Sequence, residues 1–175
     1  GRILVGDADQ LARYTTNGTL DSSFGGSGLV GLPAAGVVKV IPLAGGDIIG
    51  VGESVDNALV VRLDGNGSPA AFGSGGAVML DFGLEERLQD VVEDGSGNLI
   101  LAGYEITPGG RYDQLLVRLT GSGLLDGIFG HGGFTVEGFT LDDGRAVTFD
   151  SQGAILVGGM GRNAFGLTIS RHLVN

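Results

Sequence analysis

The chain has 175 residues, 42% of them hydrophobic, with 20 acidic against 10 basic side chains and a formal net charge of −10. That length can bury a core within one domain. So acidic a surface lacks the basic face that a phosphate backbone or an anionic membrane needs, so neither nucleic acid nor membrane insertion is expected. Cysteine is absent, which removes disulfides and thiolate metal sites, and no apolar run approaches the ~20 residues of a spanning helix.

In chain order, the sequence opens at Gly1-Arg2-Ile3 inside a strand pattern, as a processed or excised piece would. Ile3-Leu4-Val5-Gly6 is an unbroken apolar run suited to a strand buried on both faces. Leu11-Ala12-Arg13-Tyr14 reads as the next strand, followed by an Asn17-Gly18 turn, Phe24-Gly25 and a short strand at Gly28-Leu29-Val30. A second copy adds an alternating strand in front, Val38–Ile41, then Ile48–Val51, Val60-Val61-Arg62-Leu63, Asn66-Gly67, Phe72-Gly73 and Gly76–Leu80. The third runs through Gln89–Val92, Leu99–Ala102, Leu116-Val117-Arg118-Leu119, Ser122-Gly123, Phe129-Gly130 and Gly133–Val136. The fourth holds Arg145–Phe149, Ile155–Gly158 and Ile169-Ser170-Arg171-His172. No segment keeps a helical period.

The repeated arginines Arg13, Arg62, Arg118 and Arg171 stand 49, 56 and 53 residues apart (62−13, 118−62, 171−118), a spacing that signals a propeller, solenoid or array. The repeats divide the single domain 1–175 approximately into 1–36, 37–87, 88–143 and 144–175. The expected fold is all-β: a sandwich, barrel or propeller of four-stranded antiparallel units, about 3.5 repeats, holding strands b-c-d, a-b-c-d, a-b-c-d and a-b-c. If the units are propeller blades, of which rings usually have ~4–8, a second copy or another fragment of the parent is expected to complete the ring, covering otherwise exposed strand edges.

The stretch Leu11-Ala12-Arg13-Tyr14 … Asn17-Gly18-Thr19-Leu20-Asp21 … Phe24-Gly25 … Gly28, with its later copies, resembles the delta-60 repeat family of large bacterial surface and secreted proteins. Its layout is similar to that of NHL-type propeller repeats. The third copy keeps Leu125-Asp126, whereas the second has Pro69-Ala70-Ala71 in that place. The resemblance implies a propeller with the Val38-type strand innermost and a secreted or surface location, and it brings no catalytic residues. The residues themselves suggest structural roles. The arginines should bond carbonyls or carboxylates such as Asp21 or Asp126, and Phe24, Phe72 and Phe129 should anchor the core. Gly25, Gly73 and Gly130 should adopt positive φ. Aligned on the second strand, Val40, Val91 and Val147 form an apolar column expected to be nearly fully buried. Beside them, Lys39, the only lysine, and Asp90 should meet across neighbouring blades.

Signals for chemistry are sparse, and catalytic and metal-binding residues stay unknown. No Gly-x-Ser-x-Gly elbow, no Gly-x-Gly-x-x-Gly and no phosphate-cradling Gly-Lys-Ser/Thr occurs. His131 reads as an exposed turn residue, and nothing places it near His172. Asp64-Gly65-Asn66-Gly67-Ser68 and Asp94-Gly95-Ser96-Gly97-Asn98 space oxygen ligands as calcium loops do, but they lack a closing bidentate carboxylate and read as the plain turns that these residues favour. Glu85-Glu86-Arg87 and Asp142-Asp143 read as solvated loop charges. Asn17-Gly18-Thr19 fits a glycosylation sequon and a type I′ turn. The reading is therefore a structural or protein-interaction propeller module of a secreted or surface bacterial protein, leaning away from an enzyme and needing no cofactor. The alternatives are a propeller hydrolase or lyase with a site assembled from several blades or a second chain, and a calcium- or glycan-binding module.

Overall fold

A computed structural model describes residues 1–7, 9–32, 36–138, 143–161 and 166–173. They form fourteen antiparallel strands in four sheets, with no helix among the described residues. The first sheet holds β1 (Ile3–Gly6), β2 (Gln10–Tyr14) and β3 (Leu29–Gly31). The second holds β4 (Val37–Pro42), β5 (Ile48–Ser54), β6 (Asn57–Leu63) and β7 (Ala77–Leu80). The third holds β8 (Glu85–Glu93), β9 (Leu99–Ile106), β10 (Tyr112–Leu119) and β11 (Phe134–Glu137). The fourth holds β12 (Ala146–Phe149), β13 (Ile155–Met160) and β14 (Leu167–His172). Each sheet is a meander in chain order, and the strand count of three, four, four and three matches the expected blade content. The repeat boundary expected after residue 87 falls inside β8, which begins at Glu85.

Turn chemistry explains the meander. At Asn17-Gly18, Leu43–Gly46, Asp64–Gly67, Asp94–Gly97, Thr120–Gly123 and Asp150–Gly153, the glycine amide donates to the carbonyl three residues back. Each of those glycines has positive φ while the residues before it do not, so a type I turn ends in a left-handed glycine. The turn at Asn17 is therefore not the expected type I′ form. The Asn17 carboxamide oxygen instead accepts the Thr19 hydroxyl at 2.9 Å.

Strand alternation gives every sheet two apolar faces, because the sheets pack face to face. One face of the second sheet, with Ile49, Val51 and Val60, packs on Leu88, Leu99, Leu101 and Leu115 of the third. The third sheet's far face, with Ile100, Ala102 and Leu116, packs on Val147, Ile155 and Val157 of the fourth. The first meets the second through Leu11, Phe24, Ile48 and Leu63. β4, β8 and β12 stand at one edge of their sheets and pack side by side, as the alternating strands were expected to do. Val91 and Val147 are buried there, but Val40 is only half-buried. Its neighbour β1 is itself an edge strand, so no further strand covers that flank.

Phe24, Phe72 and Phe129 are all buried, and the glycines after them have φ of 60°, 52° and 55°. At Gly130 a side chain would also strike the Phe134 carbonyl and the Thr135 methyl. Gly130→Val is expected to destabilise by more than about 1 kcal/mol; an unchanged denaturant midpoint would contradict this.

Candidate functional site

The repeated arginines form the most regular polar feature, a clasp between consecutive sheets. On strand order they share a face with Leu11, Val60 and Leu116, the face turned to the following sheet. Arg13 Nε donates to Asp21 Oδ2 at 2.9 Å within its own repeat, while Nη1 donates to the Gly65 carbonyl in the next sheet's turn. Arg62 does the same with Asp47 Oδ2 at 2.9 Å and the Gly121 carbonyl at 2.6 Å. Gly65 and Gly121 are equivalent positions, each three residues beyond its own arginine. A second bond accompanies the clasp: the amides of Gly25 and Gly73, after the repeated phenylalanines, donate to the carbonyls of Asn66 and Ser122. Arg118 Nε lies 3.0 Å from Asp126 Oδ2, and its buried Nη1 has no hydrogen-bond partner among the described residues. The position its Nη1 would reach by the same count is 174, outside the described residues. The guanidinium of Arg13 also lies over the Phe24 ring at 4.5 Å.

Asp90 joins three sheets at the β4–β8–β12 edge. Lys39 Nζ pairs with its Oδ1 at 3.0 Å, and the Val147 amide donates to its Oδ2 at 3.0 Å. The expected ion pair across sheets is thus present.

The third and fourth sheets share a cluster that combines a hydroxyl, an imidazole and a carboxylate. Ser170 Oγ lies 2.7 Å from His172 Nε2, and His172 Nδ1 lies 3.6 Å from Glu137 Oε1. The buried Gln114 carboxamide accepts from Ser170 Oγ at 3.3 Å. Ser170 and His172 project from β14 toward the third sheet, while Gln114 and Glu137 are cross-strand partners on β10 and β11. Sequence reading missed this cluster, although a signal existed. Counted from the arginines, Ser170 stands where Val61 and Val117 stand, and His172 where Leu63 and Leu119 stand, so two polar residues occupy apolar columns. His131 is exposed in its turn, with its amide bonded to the Phe134 carbonyl.

The two calcium-like turns spend their carboxylates on their own backbones. Asp64 Oδ1 accepts the amides of Asn66 and Ser68 at 2.8 and 2.9 Å. Asp94 Oδ1 accepts those of Ser96 and Asn98 at the same distances. Among the described residues no group of three His, Cys, Asp or Glu is placed to hold a metal ion.

In each of two charge groups expected to be solvated, one carboxylate is buried. Glu86 is fully buried, because β8 starts before it and its Oε1 accepts the amides of Phe82 and Leu84. Glu85 and Glu53 flank Arg87, which bonds both. Asp143 is buried, accepting Arg145 Nε at 2.6 Å and the Met160 amide at 2.7 Å; Asp142 lies outside the described residues. Glu86 faces Glu105, which faces Asp113, so three carboxylates line one row across β8, β9 and β10.

This row sets a pH dependence. Burial, together with Asp81, holds Glu86 above its usual range. Burial also raises Glu105, with Asp113 and Glu86 adding to it. A raised folded value means tighter proton binding in the folded state, so that stability is present below the unfolded value and is lost as pH rises through the folded one. Asp21 and Asp150 are held low, by the Ser23 hydroxyl and by Arg171 respectively. Their contribution is present above the unfolded carboxylate range and lost below it. Melting temperature is therefore expected to rise as pH falls from 7 toward about 5, then drop below about pH 4. Glu86→Gln should match or exceed the parent at pH 7 and flatten the rise; a steeper rise, or a destabilised variant at pH 7, would contradict the assignment.

No family model matches the chain, and no curated protein matches it either.

Proposed function

We propose that the four sheets are blades of a β-propeller segment with a structural or protein-interaction role, in a secreted or surface bacterial protein of delta-60-like repeats. The observation that carries this reading is the clasp. The same arginine and the same phenylalanine-glycine amide reach the same turn of the following sheet at two successive junctions. β4, β8 and β12, packed side by side and joined through Asp90, are then the innermost strands about the axis. The arginines and phenylalanine-glycine pairs that recur in the repeats hold sheets together, and the Asp64 and Asp94 turns need no ion for their geometry. The location rests on the resemblance alone.

A second reading, a hydrolase site between blades, is favoured by one observation, the Ser170–His172–Glu137 alignment, in which a serine hydroxyl meets an imidazole backed by a carboxylate. One experiment separates the two. The purified chain is treated with a fluorophosphonate probe and melted with and without EDTA. The structural reading expects no covalent adduct at Ser170 and the same cooperative transition in both buffers. An adduct that disappears in Ser170→Ala and His172→Gln would overturn it in favour of the hydrolase. A transition lowered by EDTA and restored by calcium would overturn it in favour of an ion-held module.

A further inference from the structure

Among the described residues, five carboxylates are buried: Asp21, Glu86, Asp90, Asp113 and Asp143. Three of them hold a cation within 3.0 Å: Asp21 pairs with Arg2 and Arg13, Asp90 with Lys39, and Asp143 with Arg145. The other two do not. Glu86 has no ion pair among the described residues, and Asp113 has only the exposed Arg111 at 3.8 Å, beyond hydrogen-bond reach. Both belong to the row across β8, β9 and β10, with Glu105 between them. Each also keeps an oxygen without a hydrogen-bond partner among the described residues, Oε2 of Glu86 and Oδ1 of Asp113, although the two residues are 0% and 8% exposed. Arg87, next along β8, is spent on Glu85 and Glu53. Like charges buried on adjacent strands are costly, and the second sheet avoids them: Ser54 and Asn57 are paired where Glu105 and Asp113 are paired in the third. The row stands beside the second sheet, the Glu86 amide donating to the Asp56 carbonyl, so the two four-stranded sheets surround it.

What the row lacks is a cation. We infer that it is a docking site for an arginine side chain of a basic polypeptide partner. A calcium ion needs its oxygens converged at about 2.3–2.6 Å, and no three acids of the described residues are so placed. Cross-strand neighbours stand about 4.5–5.5 Å apart at Cβ. A guanidinium suits that spacing, because it holds five N–H donors in a planar fork. Glu105 is only half-buried and opens the row to solvent. Entering there, the guanidinium donates to the Glu105 carboxylate and to an unpartnered oxygen beside it, as Arg13 and Arg62 do to Asp21 and Asp47 within the chain. The net charge of −10 steers a basic segment toward the surface.

The test is an NMR titration of the isotope-labelled chain with the peptide acetyl-Gly-Arg-Gly-amide, read at the amides of Phe82 and Leu84, which Glu86 Oε1 holds. The arginine peptide is expected to shift both resonances and to bind at least about tenfold more tightly than its citrulline twin, which keeps the shape without the charge. Glu105→Gln should lose that difference. Glu93→Gln, which removes one charge at the other end of β8, should keep it. Dispersed spectra verify the fold, and Asp113→Asn supplies the same test should Glu105→Gln not fold. Equal binding of the two peptides would overturn the inference. So would equal losses in Glu105→Gln and Glu93→Gln, which would reduce the effect to net charge. Calcium moving the same resonances where the arginine peptide does not would overturn it in favour of a metal. Arg162 is the one arginine or lysine outside the described residues; binding seen only in Arg162→Gln would show that the chain fills the row itself and would overturn the partner. The row's acids lie within one sheet, so none of these outcomes bears on reading the sheets as blades.

Discussion

Gly103→Ala is expected to destabilise the protein by about 3 kcal/mol or more, because the added methyl would overlap the backbone carbonyl of Arg87. The backbone of Gly103 has an ordinary φ, so the constraint is one of space. Just beyond Leu88 the register of β8 on β9 shifts by one residue, from Leu88↔Gly103 to Asp90↔Ala102, and the strand carbonyl crosses over the glycine. The same shift occurs in the second sheet, between Val37 and Lys39, where Gly52 lies against the Gly36 carbonyl. Gly159 meets the Asp143 carbonyl in the fourth. Three equivalent glycines thus accommodate three equivalent crossings, and no flexible side chain can yield to make room. Against a total stability of ~5–15 kcal/mol, Gly103→Ala should shift the denaturant midpoint far more than Gly95→Ala, at a turn glycine with open space around it. Equal, small shifts for the two would contradict the packing described.

Arg62→Met is the second large effect, expected to destabilise by about 2 kcal/mol. Methionine keeps the apolar stem but strands Asp47 Oδ2 and the Gly121 carbonyl, both of which lose their guanidinium donors. An exposed ion pair would be worth much less, and Arg171 supplies that comparison. It pairs with Asp150 and Gln152 in its own repeat, and among the described residues it bonds no other sheet. Arg171→Met should therefore cost clearly less than Arg62→Met in urea titrations under conditions where the chain is monomeric. Comparable losses would mean that the cross-sheet bond contributes little and the clasp is only a local pair.

Much of this architecture was legible because one unit is repeated. The spacing of Arg13, Arg62, Arg118 and Arg171, with glycine turns between apolar runs, was enough to assign strand order and sheet content, and the Lys39–Asp90 contact followed from column alignment once the Val38-type strands were placed side by side. The missed features depend on departures from the repeat or on three-dimensional neighbours. Glu86 was read as a loop charge because its burial comes from the amides of Phe82 and Leu84, which the alternation does not encode. The Val40 column was treated as uniform, yet its burial depends on which sheet stands beside it. The Ser170–His172–Glu137 cluster arises from polar residues placed in apolar columns of one repeat and is completed by β11 of another sheet. Comparing the columns for exceptions, rather than for agreement, would have exposed it.

Consecutive sheets pack through one repeated junction with β4, β8 and β12 side by side. Zero-length carbodiimide coupling followed by tryptic mapping tests it most directly, because Lys39 is the only lysine of the chain and lies 3.0 Å from Asp90 Oδ1. The expected product is a peptide spanning residues 14–62, uncut at Lys39, joined to the peptide 88–111 through Asp90 and lost in Asp90→Asn. Coupling of Lys39 to carboxylates elsewhere in the chain, with none at Asp90, would contradict it.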